Sequence, residues 1–244
     1  MTVGPTPGSN ANQNEIPIKA SRSRIPYWIQ DCYYSCRGDS FKILKLNKAI
    51  LKNRQEEAIH LIQTISLKNI HKKDDLGLKP VFLAVDYNRL LVVSAFLEKG
   101  MNEDEVNKDG MTLLGYAARR GCVGITKLFI EKGFNVNKQD RFGLTPVGHA
   151  ILSQKVAVIP ILIEGGVDLD KEDSSGKVPL HYGLGGGSVE VSRVFVERMS
   201  WEDLNKPRSD GVSLVEYVRS CSEFSQEKKG EIMSIIESRR PRDV

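Results

Sequence analysis

The sequence has no long apolar run. Its longest, "VAVIPILI" from Val156 to Ile163, is eight residues, where a membrane-crossing helix needs about 20. No membrane association is therefore expected. Cysteine is sparse, with four in 244 residues. That is too few for a disulfide framework in a chain this long, and the expected setting is reduced and intracellular. The opening "MTVGPTPGSNANQNE" lacks both a basic start and an apolar stretch, so a secretory signal is not expected. Metal-ligand spacing is also missing. Cys32 and Cys36 form a C-x3-C pair with no second Cys or His pair nearby, and His60, His71, His149 and His181 are scattered. No nucleophile stands beside a base, and no paired carboxylates frame a cleft. An enzyme and a bound cofactor are both unexpected on these grounds. Neither charge sign dominates: 35 Lys and Arg face 31 Asp and Glu, for a net +4. The spread is uneven, at +7 over residues 1–73, −4 over 74–205 and +1 over 206–244.

What the chain does have is repetition. Residues 1–25 are rich in Gly, Pro, Ser, Asn and Thr and bury too little to offset ordering, so a disordered tail is expected. The aromatic-dense "IPYWIQDCYYSC" (25–36) follows, and residues 26–41 are read as an N-terminal capping segment. Then Gly77, Gly110, Gly143 and Gly176 recur at intervals of 33. A small residue follows each after seven places: Ala84, Ala117, Ala150 and Gly183. Apolar pairs close each unit: Phe96–Leu97, Phe129–Ile130, Leu162–Ile163 and Phe195–Val196. Four clear units cover 75–206, and degenerate ones at each end extend the repeat domain to 42–240. Atypical end units are expected, because each must face water on one side.

Within a unit the pattern reads as helix–turn–helix. Thr145–Pro146 is a helix start, with Thr capping free N–H groups and Pro in the first helical position. The first helix runs to a turn at Asn88, Gly121, Gln154 or Gly187. The second ends at Gly100, Gly133 or Gly166, where glycine takes a left-handed terminating conformation. Pro160 inside a second helix is expected to shift or kink its start. Segments such as "FNVNKQDRFG" (134–143) have turn chemistry and are expected to project as hairpins.

These units resemble the ankyrin repeat. The family's "G-x-T-P-L-H-x-A" opening is similar to "GLTPVGHA" (143–150) and "GKVPLHYG" (176–183), and its "G-x-x-V-N" ending to "GFNVN" (133–137). The resemblance implies an all-α ankyrin-repeat solenoid of stacked helix-turn-helix units with β-hairpin tips. It also implies non-catalytic protein binding through the concave face and tips. His181 falls in the family's structural histidine position, where the ring ties a helix start to a hairpin backbone.

Three features compete with that reading. "GLGGGSVE" (183–190) looks like a phosphate loop but lacks a following Lys and a preceding strand, so it is read as an inter-helix turn. The basic ends "KASRSR" (19–24) and "RRPR" (239–242) are read as solvated. The basic N-terminal third would serve a nucleic acid, a partner that is not expected. A further alternative is an adaptor, regulatory subunit or host-directed effector that recruits a partner to an enzyme. The protein is expected to be a monomer in the cytoplasm, with the nucleus also open. The proposed partner-binding residues are Tyr87, Arg119 and Arg120 at the ends of first helices, Tyr116 beside them, and Arg141 and Phe142 at a hairpin tip. Aromatic residues and Arg are enriched at interface hot spots. A column six places after each repeat glycine (Leu83, Tyr116, His149, Tyr182, Tyr217) reads as a packing column that also offers polar tips.

Overall fold

The computed structural model describes residues 38–73, 79–185, 189–208, 211–220, 222 and 225–241, the side chains of 184 and 185 excepted. The tail over 1–25 with its basic stretch 19–24, most of the aromatic segment, Cys32, Cys36, Cys221, Gly77, the Gly186–Ser188 turn and Arg242 of the second basic stretch lie outside the described residues. Helices come in pairs. The first pair is α1 (Asp39–Leu51) and α2 (Gln55–Thr64), followed by the short α3 (Leu67–Ile70). α1 thus begins three residues ahead of the expected start at 42. Next come α4 (Pro80–Asp86) with α5 (Leu90–Glu98), then α6 (Leu113–Arg120) with α7 (Val123–Glu131). In the third glycine-marked unit α8 (Pro146–Leu152) leads through a 3-10 turn at Val156–Val158 into α9 (Ile159–Glu164). The fourth holds α10 (Pro179–Gly185) and α11 (Val189–Val196); α12 (Trp201–Asn205) leads to the final pair, α13 (Leu214–Ser220) and α14 (Gln226–Glu237). Among the described residues the one β-bridge joins Val106 to Thr112.

Isolated helices this short are not stable in water, since about 12–15 residues are needed even in good helix formers. They persist because each unit buries an apolar face against the next. Phe96, Phe129, Leu162 and Phe195 form one fully buried column, a side chain per unit at the same register. Each contributes about 2–3 kcal/mol through removal from water. Ala84, Ala117 and Ala150 form a second column, also fully buried. Gly183 continues it: a Cβ there would sit 3.1 Å from a Val191 methyl, so the slot tolerates little more than hydrogen.

The expected punctuation is present. Thr145 Oγ1 accepts from the Gly148 N–H at 3.4 Å, and Thr112 caps α6 in the same way through Gly115 at 3.0 Å. Gly100, Gly133 and Gly166 have φ of +98°, +81° and +85° and end the second helices. Pro160 delays its α-helix: the 3-10 turn precedes α9, whose first turn holds the proline. Among the described residues, the left-handed position between paired helices is taken by Asn53, Asn88, Gly121 and Gln154, so glycine fills one of these four turns. In each case the next N–H returns to the carbonyl of the small-slot alanine, from Arg54 to Ala49, Arg89 to Ala84, Cys122 to Ala117 and Lys155 to Ala150, at 2.8–3.0 Å.

Candidate protein-binding surface

The hairpins are built on a polar column that the glycine spacing did not single out. Asn107, Asp140 and Asp173 each point one side-chain oxygen at two backbone N–H groups in the turn ahead. For Asp140 these are Phe142 at 2.8 Å and Leu144 at 2.9 Å; the Asn107 and Asp173 turns match. Such an Asx turn satisfies donors that would otherwise be orphaned. The second oxygen of Asp140 contacts His149 Nε2 at 2.9 Å, and that of Asp173 accepts from the Tyr182 hydroxyl. Arg208 replaces the Asx residue in the last hairpin. Its guanidinium is buried and reaches the Asp170 carboxylate and the Asp203 carbonyl. Adjacent tips are joined through the main chain: Arg141 N–H donates to Asp109 O at 3.3 Å and Ser174 N–H to Phe142 O at 3.1 Å.

The packing column therefore ties helices to neighbouring elements. Tyr116 donates to Asp86 Oδ1 at 2.7 Å and meets Phe82 edge-on, with ring centroids 5.2 Å apart. Burial, then the Asp86 carboxylate, pushes its hydroxyl pKa up to about 12. Burial outweighs the Asp140 charge at His149 and lowers that imidazole below its ordinary 6.5. His181 Nδ1 accepts from Val178 N–H at the start of its own helix at 3.1 Å, which is the helix-start half of the structural-histidine reading, and the ring packs edge-on against Tyr217 at 4.6 Å.

The expected partner-binding residues fall into two groups. Tyr87, Arg119 and Arg120 lie at the C-terminal ends of first helices, with Tyr116 mid-helix one turn before Arg120, and Arg141 and Phe142 lie on a tip that precedes α8. First helices separate the two groups, and no hydrogen bond or ion pair joins them among the described residues. Asp86 organises the first group. Tyr116 donates to it, and Arg120 Nε pairs with the same oxygen at 3.0 Å. These two polar ends are therefore engaged within the fold. Arg119 is exposed and close enough to act on both Tyr116 and His149 by charge alone. Tyr87 is 45% exposed, with the Arg89 guanidinium 5.9 Å from its ring centroid. Phe142 is 60% exposed, and the Arg141 stem crosses the bare face of Gly110 on the preceding tip. Asp86 itself was not foreseen; its role depends on a residue 30 positions away. Among the described residues, no group of three or more His, Cys, Asp or Glu gathers as metal ligands, and no helix is long and apolar enough to cross a membrane.

Paired short helices, a 33-residue register and linked tips define a stacked-repeat helical solenoid. The family model for ankyrin repeats (3 copies) matches residues 46–140 and 122–206, and the chain belongs to the ankyrin repeat family. The fold is similar to the crystal structure of the ankyrin repeat domain of Bcl-3, a unique member of the IkappaB protein family. The TM-score is 0.64 at 19% identity, covering 78% of this chain and 81% of that one. Because 479 chains of known structure match, this likeness speaks for the fold and for no particular partner. No curated protein sequence matches. Ankyrin repeats generally serve as protein–protein interaction modules and are typically non-catalytic.

Proposed function

We propose that this chain is a non-catalytic binding module that holds a protein partner on its concave face and hairpin tips, across the units of Gly110 and Gly143. The contact residues are Tyr87, Tyr116, Arg119, Arg120, Arg141 and Phe142. The observation that carries this reading is the Arg141–Phe142 tip. A 60% exposed phenylalanine stands beside an arginine whose guanidinium holds no hydrogen bond or ion pair among the described residues, while the equivalent places on the neighbouring tips hold Lys108–Asp109 and Ser174–Ser175. Exposed aromatic and guanidinium groups together favour a partner segment with acidic and apolar residues. Tyr116 and Arg120 support the surface from beneath through Asp86. In this reading the protein acts as a monomer in the cytoplasm, with the nucleus as the alternative.

The test is affinity purification from the native cell, followed by binding measurements on an Arg141→Ala, Phe142→Ala variant. Affinity is expected to fall by about 2 kcal/mol or more, roughly 30-fold, for a true hot spot. Unchanged affinity in a variant that melts like the parent moves the site off these residues.

A further inference from the structure

The edge formed by the inter-helix turns differs in chemistry from the tips. It exposes aliphatic side chains in four successive units: Leu51, Leu90 and Leu91, Val123, and Leu152, with Leu91 60% exposed. A notch lies at the centre. Leu90 Cδ2 is 3.6 Å from where a Cβ on Gly124 would be, so the absence of a side chain at Gly124 leaves Leu90 uncovered. Cations surround these residues. Lys52, Arg119 and Lys155 are exposed and hold no carboxylate among the described residues. The N-cap residues of α2 and α5 are Arg54 and Arg89, with no side-chain cap bond; Arg54 is paired with Glu57 at 3.2 Å, and Arg89 donates to the Ile50 carbonyl at 3.4 Å and pairs with no carboxylate among the described residues. Each puts like charge at a helix end that is already positive.

One column marks where this chemistry starts and stops. The second position of the second helices is Glu56 in the first pair and Glu190 in the fourth glycine-marked unit, the residue type that suits a positive helix end. In the three units between, the equivalent positions are Leu91, Gly124 and Ala157, all exposed. The helix-stabilising acid is thus missing from the central units alone, and an apolar, electropositive strip lies between two glutamates.

We propose that this turn edge is a second docking surface, distinct from the tips, and that it takes an acidic amphipathic helix of a protein partner. The strip spans three inter-unit spacings of about 8–10 Å each. A partner helix repeats a face every seven residues, or about 10.5 Å, so one apolar residue per heptad meets one unit. Its acidic flanks then face Lys52, Arg119 and Lys155. An extended anionic surface such as a membrane fits less well, because Glu56 and Glu190 lie at the strip's two ends.

The probe is a labelled 20-residue helix-forming peptide with Leu once per heptad on one face and Glu on both flanks, read by fluorescence anisotropy. Binding is expected, weakened at least tenfold by Leu91→Asp with Val123→Asp, and by Gly124→Glu, which adds no buried group. Lys155→Glu should weaken it and flatten its salt dependence. An Arg141→Ala, Phe142→Ala variant should bind the peptide normally, which separates this surface from the tip reading. The proposal fails if no binding occurs, if peptides with Leu changed to Ala or Glu changed to Lys bind equally well, or if no edge variant matters. Loss of binding in the tip variant alone also overturns it, as does tighter binding to phosphatidylserine vesicles than to the peptide.

Discussion

The hairpin tips and the inter-helix turns both reverse the chain with left-handed residues, yet they use them differently. Every described tip glycine (Gly110, Gly143, Gly176, Gly211) has φ between +73° and +78°. At the described turns the same region of backbone space is occupied by Asn53, Asn88 and Gln154 at +51° to +56°, and by Gly121. At Gly143, and less tightly at Gly110, neighbouring backbone lies against the tip glycine, while the space beside Gly211 is open. A Cβ on Gly143 would be 2.6 Å from Ser174 N, whereas one on Gly121 would meet only the flexible Lys155 stem, at 2.9 Å. The tips are closed by internal polar bonds, and the turns keep side chains free for solvent or a partner. Conformation alone does not require glycine; the nature of the nearby atoms decides.

Changes at the tips should therefore outweigh changes at the turns. Asp140→Ala removes the acceptor of two backbone N–H groups and the partner of His149, and should cost about 3 kcal/mol in urea unfolding. Gly143→Ala should cost about 2–3 kcal/mol, since it combines positive φ with a backbone clash. A loss under 1 kcal/mol for either would show that the tips relax freely. Tyr116→Phe, which removes the hydroxyl bond to a half-exposed Asp86, should cost about 1 kcal/mol. Acid should have a smaller effect. His149 is held below 6.5 in the fold, so its contribution is complete above that pH. It is lost as pH falls through 6.5, where the unfolded chain takes the proton first. Melting should move down between pH 7.5 and pH 5, less steeply in His149→Gln; equal slopes would refute the assignment. The smallest effect is expected at the turns. Gly121→Asn should change stability by no more than about 0.5–1 kcal/mol, because asparagine adopts the left-handed region with little strain. A larger loss would mean that Lys155 cannot move aside.

Local chemistry was readable in the sequence. Thr145–Pro146 as a start, Gly100, Gly133 and Gly166 as stops and Pro160 as a disturbance each act through atoms a few positions away, so residue type and spacing suffice. The Asn107–Asp140–Asp173 column has the same 33-residue period and could have been found by aligning polar residues as well as glycines. Two features could not. Asp86 draws in Tyr116 and Arg120 across a unit boundary, and nothing near Asp86 in the chain announces it. Arg208 breaks the Asx column after a spacing of 35 rather than 33, and its function as a buried substitute appears only once Asp170 and the Asp203 carbonyl are beside it. The exposure of Tyr87, Arg119 and Phe142 followed from register. The separation of the turn group from the tip group did not, because register assigns a position within a unit and not a distance across the solenoid.

The bonds between tips run from Arg141 N to Asp109 O and from Ser174 N to Phe142 O, so they belong to the main chain. Any residue except proline supplies the N–H, and every residue supplies the carbonyl. The side chains at 141 and 142 are exposed and make none of these bonds, although the Arg141 stem lies over Gly110. A substitution there leaves the linkage intact and changes only what the tip presents. Selection can therefore vary the side chains at these two positions while the scaffold stays constant, and, if the proposed tip surface is the binding site, related chains are expected to differ most there.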